Sequence, residues 1–436
     1  MKKHFKPDNF SYKNTLINHD FEIAEVHNYL QWGVHDADLK PALYISVITI
    51  QIFDLLELLL PIIKNTNTPF SLIKDCKVHY MLNAGDYGLD EIGKVIVLYT
   101  KDAHDTVQLA TDINLVTEEF NGPLCCSARR IGKILYLEES GITKGIQIPN
   151  LKRYHIKKRR LIFSKCYIPI AIIKNSFKGT AYKAVSMQRL SFKSCLIKEG
   201  NPFALDDQFG RNIRDRLLWQ KEVTLDLQDQ VATPSFYDYF EEYEYSYLVI
   251  QYVEGITLFK AVRDIYNTKK WNHISNQQQN KLLGYFLDAV GIVQIIHQKG
   301  YVQRDISDSN FLVMSNGELC IIDFELSYHM TRKEPANPFP LGTVGYAAPE
   351  QLKLASPDYK EDVYALGALL CFILTGIPPG HFICEDRKKL SANLQRIIND
   401  RSLTRMILSC LSVRRSDRPD LVMIKEAVSK FISEKY

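Results

Sequence analysis

Residues 301–313 read YVQRDISDSNFLV. Two aspartates, an arginine, an asparagine and two serines stand between apolar residues. A buried strand does not tolerate that polarity without partners, and an ordinary turn does not need it. The spacing offers Asp305 as a carboxylate that accepts a hydrogen bond from an attacking hydroxyl. Asn310, a short loop later, is offered as a neutral oxygen ligand for a divalent cation. Both demands belong to phosphoryl transfer, where the protein aligns groups and neutralises charge and does little covalent chemistry.

A second acid is required close to that cation, and the stretch GELCIIDFELS (317–327) places Asp323 at the end of an apolar strand. Upstream, SCLIKEG (194–200) ends a strand at Lys198, suited to the α- and β-phosphates of a nucleotide. The helix read from RDRLLWQKEVTLDL (214–227) offers Glu222 as the acid that fixes this lysine. Asp215 is too short and too early, and Asp226 is the weaker alternative. The turn in KNSFKGTAYKAV (174–185) offers Gly179 and Thr180, with backbone amides from Ser176 onward, as a loose cover over phosphates.

Further on stand Ala348-Pro349-Glu350, Asp362 near a helix start in YKEDVYALG (359–367), and Arg418 in RRSDRPD (414–420). With these, residues 165–434 resemble the eukaryotic-type protein kinase fold. The resemblance implies a nucleotide held near Ile250, Gln251 and Val253 at a hinge, with Arg304, Asp305, Lys198 and Glu222 in the catalytic set. It implies Mg²⁺ on Asn310 and Asp323, a Glu350–Arg418 brace, and Asp362 capping the backbone of the 301–310 loop. Three departures stand out. The glycine-rich loop keeps only Gly179, Gln303 replaces the usual histidine, and Asp323-Phe324-Glu325 replaces Asp-Phe-Gly.

The Asp-Phe-Glu variant together with GTVGYAAPEQL (342–352) is similar to the kinase of class III lanthipeptide synthetases, in which a phosphoserine/phosphothreonine lyase precedes the kinase and a cyclase follows it. Strand–helix alternation over residues 40–145, with GKVIVLYTKD (93–102) and NGPLCCSARR (121–130), looks like that lyase. Its elimination residues are missing: Ser71 stands where a lysine is expected, and Tyr44 and Ser46 where a lysine and a histidine are. Lys94, Arg129 and Arg130 remain as expected phosphate-binding cations, so the resemblance implies a degenerate lyase that still binds anions. His79 is read as structural, with a relocated acid as the alternative. The expectation is a chain without the cyclase, so that any dehydration or ring closure would fall to separate proteins.

Composition narrows the classes. The 436 residues carry a net charge of +4, too little to indicate nucleic acid as the partner. Nine cysteines without paired CxxC clusters indicate a reducing cytoplasm and no zinc centre. No signal peptide is legible. The apolar stretch 43–64 is interrupted by Asp54 and Glu57, so it is read as a strand and an amphipathic helix, not a membrane span. The run at 148–160 holds six basic residues between positions 152 and 160. It is read as a solvated linker, with an acidic-peptide surface as the alternative.

The expected fold class is α+β: a two-lobed kinase fold preceded by a smaller α/β lyase-like domain. The expected limits are 1–150 for the lyase-like domain, 151–164 for a basic linker and 165–436 for the kinase, with its first lobe to about 250 and its second from about 256. The expected activity is ATP- and Mg²⁺-dependent phosphorylation of Ser/Thr in a ribosomally made precursor peptide recognised through a leader, with neither nucleic acid nor membrane as partner. The alternatives are a regulatory kinase with a phosphopeptide-sensing domain and a peptide-binding pseudoenzyme scaffold. Nothing in the sequence specifies an oligomeric state.

Overall fold

The computed structural model describes residues 11–34, 40–139, 141–148, 162–187, 192–340, 342–384 and 386–435. The basic run 152–160 lies outside them. The chain mixes helix and sheet, and it divides into two compact units, Met1–Leu217 with Tyr239–Leu248 and Leu218–Asp238 with Val249–Tyr436.

The first unit contains two sheets. The seven-stranded sheet is built from β1 (Ala24–Val26), β2 (Tyr29–Trp32), β3 (Pro41–Ile45), β4 (Phe70–Ile73), β5 (Ile96–Tyr99), β6 (Arg129–Arg130) and β7 (Leu135–Leu137), in the order β1-β2-β4-β5-β3-β7-β6. Within it β3 pairs antiparallel with β5 and β7. Strand alternation sends Leu43 and Ile45 to one face and Tyr44 to the other. The first face packs under α2 (Ile52–Thr66) and α4 (Ala103–Thr117). In α2, Ile52, Leu55, Leu56, Leu59, Leu60 and Ile63 recur at helical spacing and are buried, while Asp54 and Glu57 are exposed. The apolar stretch is therefore a strand and an amphipathic helix, and no described helix is long and apolar enough to cross a membrane.

The second sheet sets β11 (Phe236–Glu242) beside β12 (Tyr245–Gln251), followed in order by the strands over Lys193–Gly200, Gly179–Ser186 and Tyr167–Ser176. Its turn between β8 (Tyr167–Ser176) and β9 (Gly179–Ser186) requires glycine at 179. The φ there is +147°, and a Cβ would lie 1.8 Å from the Glu199 carbonyl oxygen. Past β10 (Lys193–Gly200), the chain sends the buried Asp206 back to the α/β part of the same unit. Its carboxylate accepts from Thr49 N (2.8 Å), Thr49 Oγ1 (2.9 Å) and Asn83 Nδ2 (3.2 Å). Beside it, His79 donates from Nε2 to the Val47 carbonyl at 2.8 Å, and Nδ1 accepts from the Tyr12 hydroxyl at 2.9 Å. Burial pushes His79 down to about 4. It is a neutral packing residue, not a relocated acid.

In the second unit, α7 (Asn276–Gln298) starts with a capping box made by Ser275 and Gln278. It packs on α9 (Lys360–Thr375), which is buried nearly all round from Glu361 to Leu374. The quoted stretch leaves β14 (Tyr301–Val302) and enters β15 (Phe311–Met314), which pairs with β16 (Leu319–Ile321). Residues 303–310 are thus a loop held between two buried strands.

Burial pushes Asp206 up to about 6, against the lowering effect of its three hydrogen bonds. A carboxyl raised in the folded state stabilises fully below its unfolded value of 3.8, and that contribution is lost as pH rises through about 6. Denaturant melts of the wild type should therefore show a falling contribution across that window, up to ~1.4 kcal/mol per pH unit. Asp206→Asn should flatten the slope, because Asn83 can turn its Oδ1 to accept. Asp206→Ala should cost ~1–3 kcal/mol by orphaning the Thr49 amide.

Candidate active site

The 303–310 loop is built on one carboxylate. Asp362, in the first turn of α9 and fully buried, accepts from Gln303 N and Arg304 N at 2.8 Å each and from His297 Nε2 at 2.8 Å. These bonds hold Arg304 at φ +64°, a left-handed conformation that a non-glycine residue adopts only when its surroundings impose it.

Gln303 is buried, and its amide is fully used. Nε2 donates to the Asp323 carbonyl at 2.8 Å, and Oε1 accepts from Asp305 N at 2.6 Å. A carboxamide supplies one donor and one acceptor at any pH, so glutamine ties the loop to the end of β16 without a titrating group.

Asp305 and Asn310 are brought together. Asn310 Nδ2 donates to the Asp305 carboxylate at 2.7 Å and to its carbonyl at 2.8 Å. Thr343 adds its hydroxyl at 2.7 Å and its amide at 3.2 Å, both to Asp305 Oδ1. Burial raises the Asp305 carboxyl above its usual range, and the charges of Asp323 and Glu325 push the same way; Thr343 and Asn310 oppose them. The Glu325 amide donates to Asp323 Oδ1 at 3.2 Å. The donor set is therefore carboxylate and carboxamide oxygen, with like charges repelling one another. That fits a hard divalent cation such as Mg²⁺.

Arg304 is not at the reacting groups. Its buried guanidinium pairs with Glu361 through Nε at 3.0 Å and donates from Nη1 to the carbonyls of Leu326 and Phe339. It braces the segment after Asp323, which corrects its placement in the catalytic set. The Glu350–Arg418 pair is bidentate, at 2.5 and 2.8 Å.

Glu222 stands on α5 (Ile213–Leu227), whose buried positions are Ile213, Arg216, Leu217, Trp219, Gln220, Val223, Thr224 and Leu227. Glu222 falls between these positions and is exposed. The inward polar residues are Arg216, Gln220 and Thr224, and the helical period of the apolar residues carried that signal. Asp226, the other candidate, bonds Tyr301 at 2.6 Å and Arg332 at 2.8 Å. Lys198 is half-buried on β10 opposite Ala181. Thr180 is buried and donates to Asn175 Oδ1 at 3.0 Å. Ile250 is buried at the end of β12 (Tyr245–Gln251), with Gln251 and Val253 half-buried after it.

The three cations of the N-terminal sheet do not assemble. Lys94 pairs with Glu91 at 3.0 Å, over the Tyr44 ring. Arg129 pairs with Glu139 at 2.6 Å, and Arg130 with Glu244 at 2.8 Å. The two arginines are successive residues of one strand, β6 (Arg129–Arg130), so they leave it on opposite faces. Each charge is already neutralised, against the expectation of a shared phosphate cradle. Tyr44 donates to Glu138 at 2.7 Å, Ser46 to the Pro123 carbonyl at 2.6 Å, and Ser71 lies between Gln31 and Tyr99. Each of these side chains is engaged in an internal hydrogen bond.

Residues 225–432 match the protein kinase domain. Among the relatives, serine/threonine-protein kinase C of Synechocystis sp. is 27% identical over 238 residues, covering 50% of this chain and 42% of that protein. Serine/threonine-protein kinase PknB of Mycolicibacterium smegmatis is 31% identical over 136 residues, covering 30% of this chain and 20% of that protein. The chain thus spans less than half the length of these relatives. Its C-terminal half carries a protein kinase domain, similar to those of bacterial Ser/Thr kinases.

Thr343 is the site residue that motif spacing missed. Its hydrogen bond favours the ionised form of Asp305. Thr343→Ala should move the acid limb of a phosphotransfer pH–rate profile to higher pH, and Thr343→Ser should restore it. Asp305→Asn should keep nucleotide binding, read by calorimetry, while turnover falls by about 10²–10⁴-fold.

Proposed function

We propose that this chain is a serine/threonine protein kinase that uses ATP and Mg²⁺. The observation that carries the reading is the Asp305–Asn310 pair, held beside Asp323 by Gln303 and Asp362. In this reading Asp305 accepts the hydrogen bond of the substrate hydroxyl and orients its oxygen. Asn310 and Asp323 hold Mg²⁺, which neutralises phosphate charge when bound. Lys198, Gly179, Thr180, Ile250, Gln251 and Val253 are assigned to the nucleotide.

The substrate proposed is a ribosomally made precursor peptide, phosphorylated on Ser or Thr in a lanthipeptide-like maturation, with the chain acting in the cytoplasm. Asp323-Phe324-Glu325 and the 342–352 stretch support this, and so does an N-terminal sheet whose expected elimination positions hold Ser71, Tyr44 and Ser46. The neutralised cations Lys94, Arg129 and Arg130 favour a structural role for that sheet over lyase chemistry. The names of the bacterial relatives favour a second reading, a regulatory kinase acting on proteins.

The test incubates purified chain with ATP, Mg²⁺ and a candidate precursor peptide, followed by mass spectrometry. The expected product gains phosphate and keeps it. Loss of that phosphate with its water would restore the lyase. Phosphate on folded proteins but not on any precursor peptide would favour the regulatory reading. No transfer to either, with nucleotide bound, would leave the scaffold.

A further inference from the structure

Activation segments are commonly ordered by a phosphate that pairs with an arginine. In this chain the arginine beside Asp305 already has its anion. The side chains of Arg304 and Glu361 are 1% and 0% exposed, with Nε and Oε2 3.0 Å apart. The same guanidinium donates from Nη1 to the Leu326 carbonyl at 3.3 Å and the Phe339 carbonyl at 3.0 Å. One side chain therefore ties two separate points of the segment that follows Asp323.

Besides the bond from the Thr343 hydroxyl to Asp305, three further contacts hold that segment through carbonyl, guanidinium and carboxylate groups. Trp219 donates from Nε1 to the Ser327 carbonyl at 2.7 Å. Arg332 pairs with Asp226, which also accepts from Tyr301. At the far end, Glu350 is gripped by Arg418, with Arg415 at 3.3 Å; Arg415 also reaches Glu361 at 3.7 Å. Glu361 thus stands between two arginines, one from the 303–310 loop and one bracing Glu350.

We propose that Glu361 takes the place of a segment phosphate, so that residues 326–340 and 342–350 are held in their working arrangement without phosphorylation. Glu361 acts through Arg304 and is a positioning residue. Its carboxylate is carried on α9, nearly all of which is buried, so no phosphatase can remove it. Burial raises Glu361 to about 7 and the charge of Asp362 pushes the same way, so the ionised form is held by the arginines that oppose them, Arg304 first and Arg415 after it.

This inference rests on the kinase reading, and the test separates the two. The full chain is treated with a protein phosphatase until its intact mass shows no phosphate. Peptide phosphorylation and hydrogen exchange over 326–340 are then measured. The expected result is an unchanged kcat and KM and a protected segment. In Glu361→Gln, kcat should fall by about 10–100-fold with the nucleotide KM little changed, and exchange in 326–340 should rise while α7 stays protected. Activity that disappears with dephosphorylation and returns with autophosphorylation would overturn the proposal, and that arm needs no variant to fold. If untreated chain transfers no phosphate, the kinase reading fails, and exchange still decides the ordering. A segment that is unprotected without phosphate overturns the role of Glu361, and a protected one supports it.

Discussion

The site hangs on the two oxygens of Asp362. They accept the amides of Gln303 and Arg304 and the imidazole N–H of His297, at a fully buried position. Without that carboxylate two buried N–H groups would be orphaned, and nothing else would impose the left-handed turn at Arg304. With it, Gln303 and Arg304 leave the backbone in fixed and opposite roles. One reaches the end of β16, the other the segment beyond it. Asp305 is positioned between them.

Both units use the same device. Asp206 fastens the return loop of the first unit by accepting three donors, as Asp362 fastens the loop of the second. A buried carboxylate is expensive to desolvate and worth its place only when donors saturate it. Saturation makes such a joint specific, because no neighbouring register presents the same donors. Glu361 is the costlier variant, an acid between two arginines, and its raised pKa reflects that cost.

The N-terminal sheet makes the opposite use of charge. Lys94, Arg129 and Arg130 each meet a carboxylate of the same unit, and the tyrosine and serines at the expected elimination positions are spent on internal hydrogen bonds. A cation already paired gains little from a phosphate, since the exchange trades one ionic bond for another and adds desolvation. The proposed phosphotransfer chemistry rests on residues of the second unit, Asp305, Asn310 and Asp323.

Sequence alone determined what depends on near neighbours along the chain. The spacing of Asp305, Asn310 and Asp323, the amphipathic period of α2 and the glycine at 179 follow from local geometry and could be read directly. The exposed side of Glu222 was also legible, in the apolar period of α5. What only the tertiary structure decided is which charges meet. Arg130 finds Glu244 across 114 positions, Arg304 finds Glu361 across 57, and Thr343 reaches Asp305 across 38. A side chain's type says that it can donate or carry charge. Whether it does so to a reactant or to another part of the chain depends on which element the packing of the core brings within 3 Å of it, and no local pattern encodes that distance.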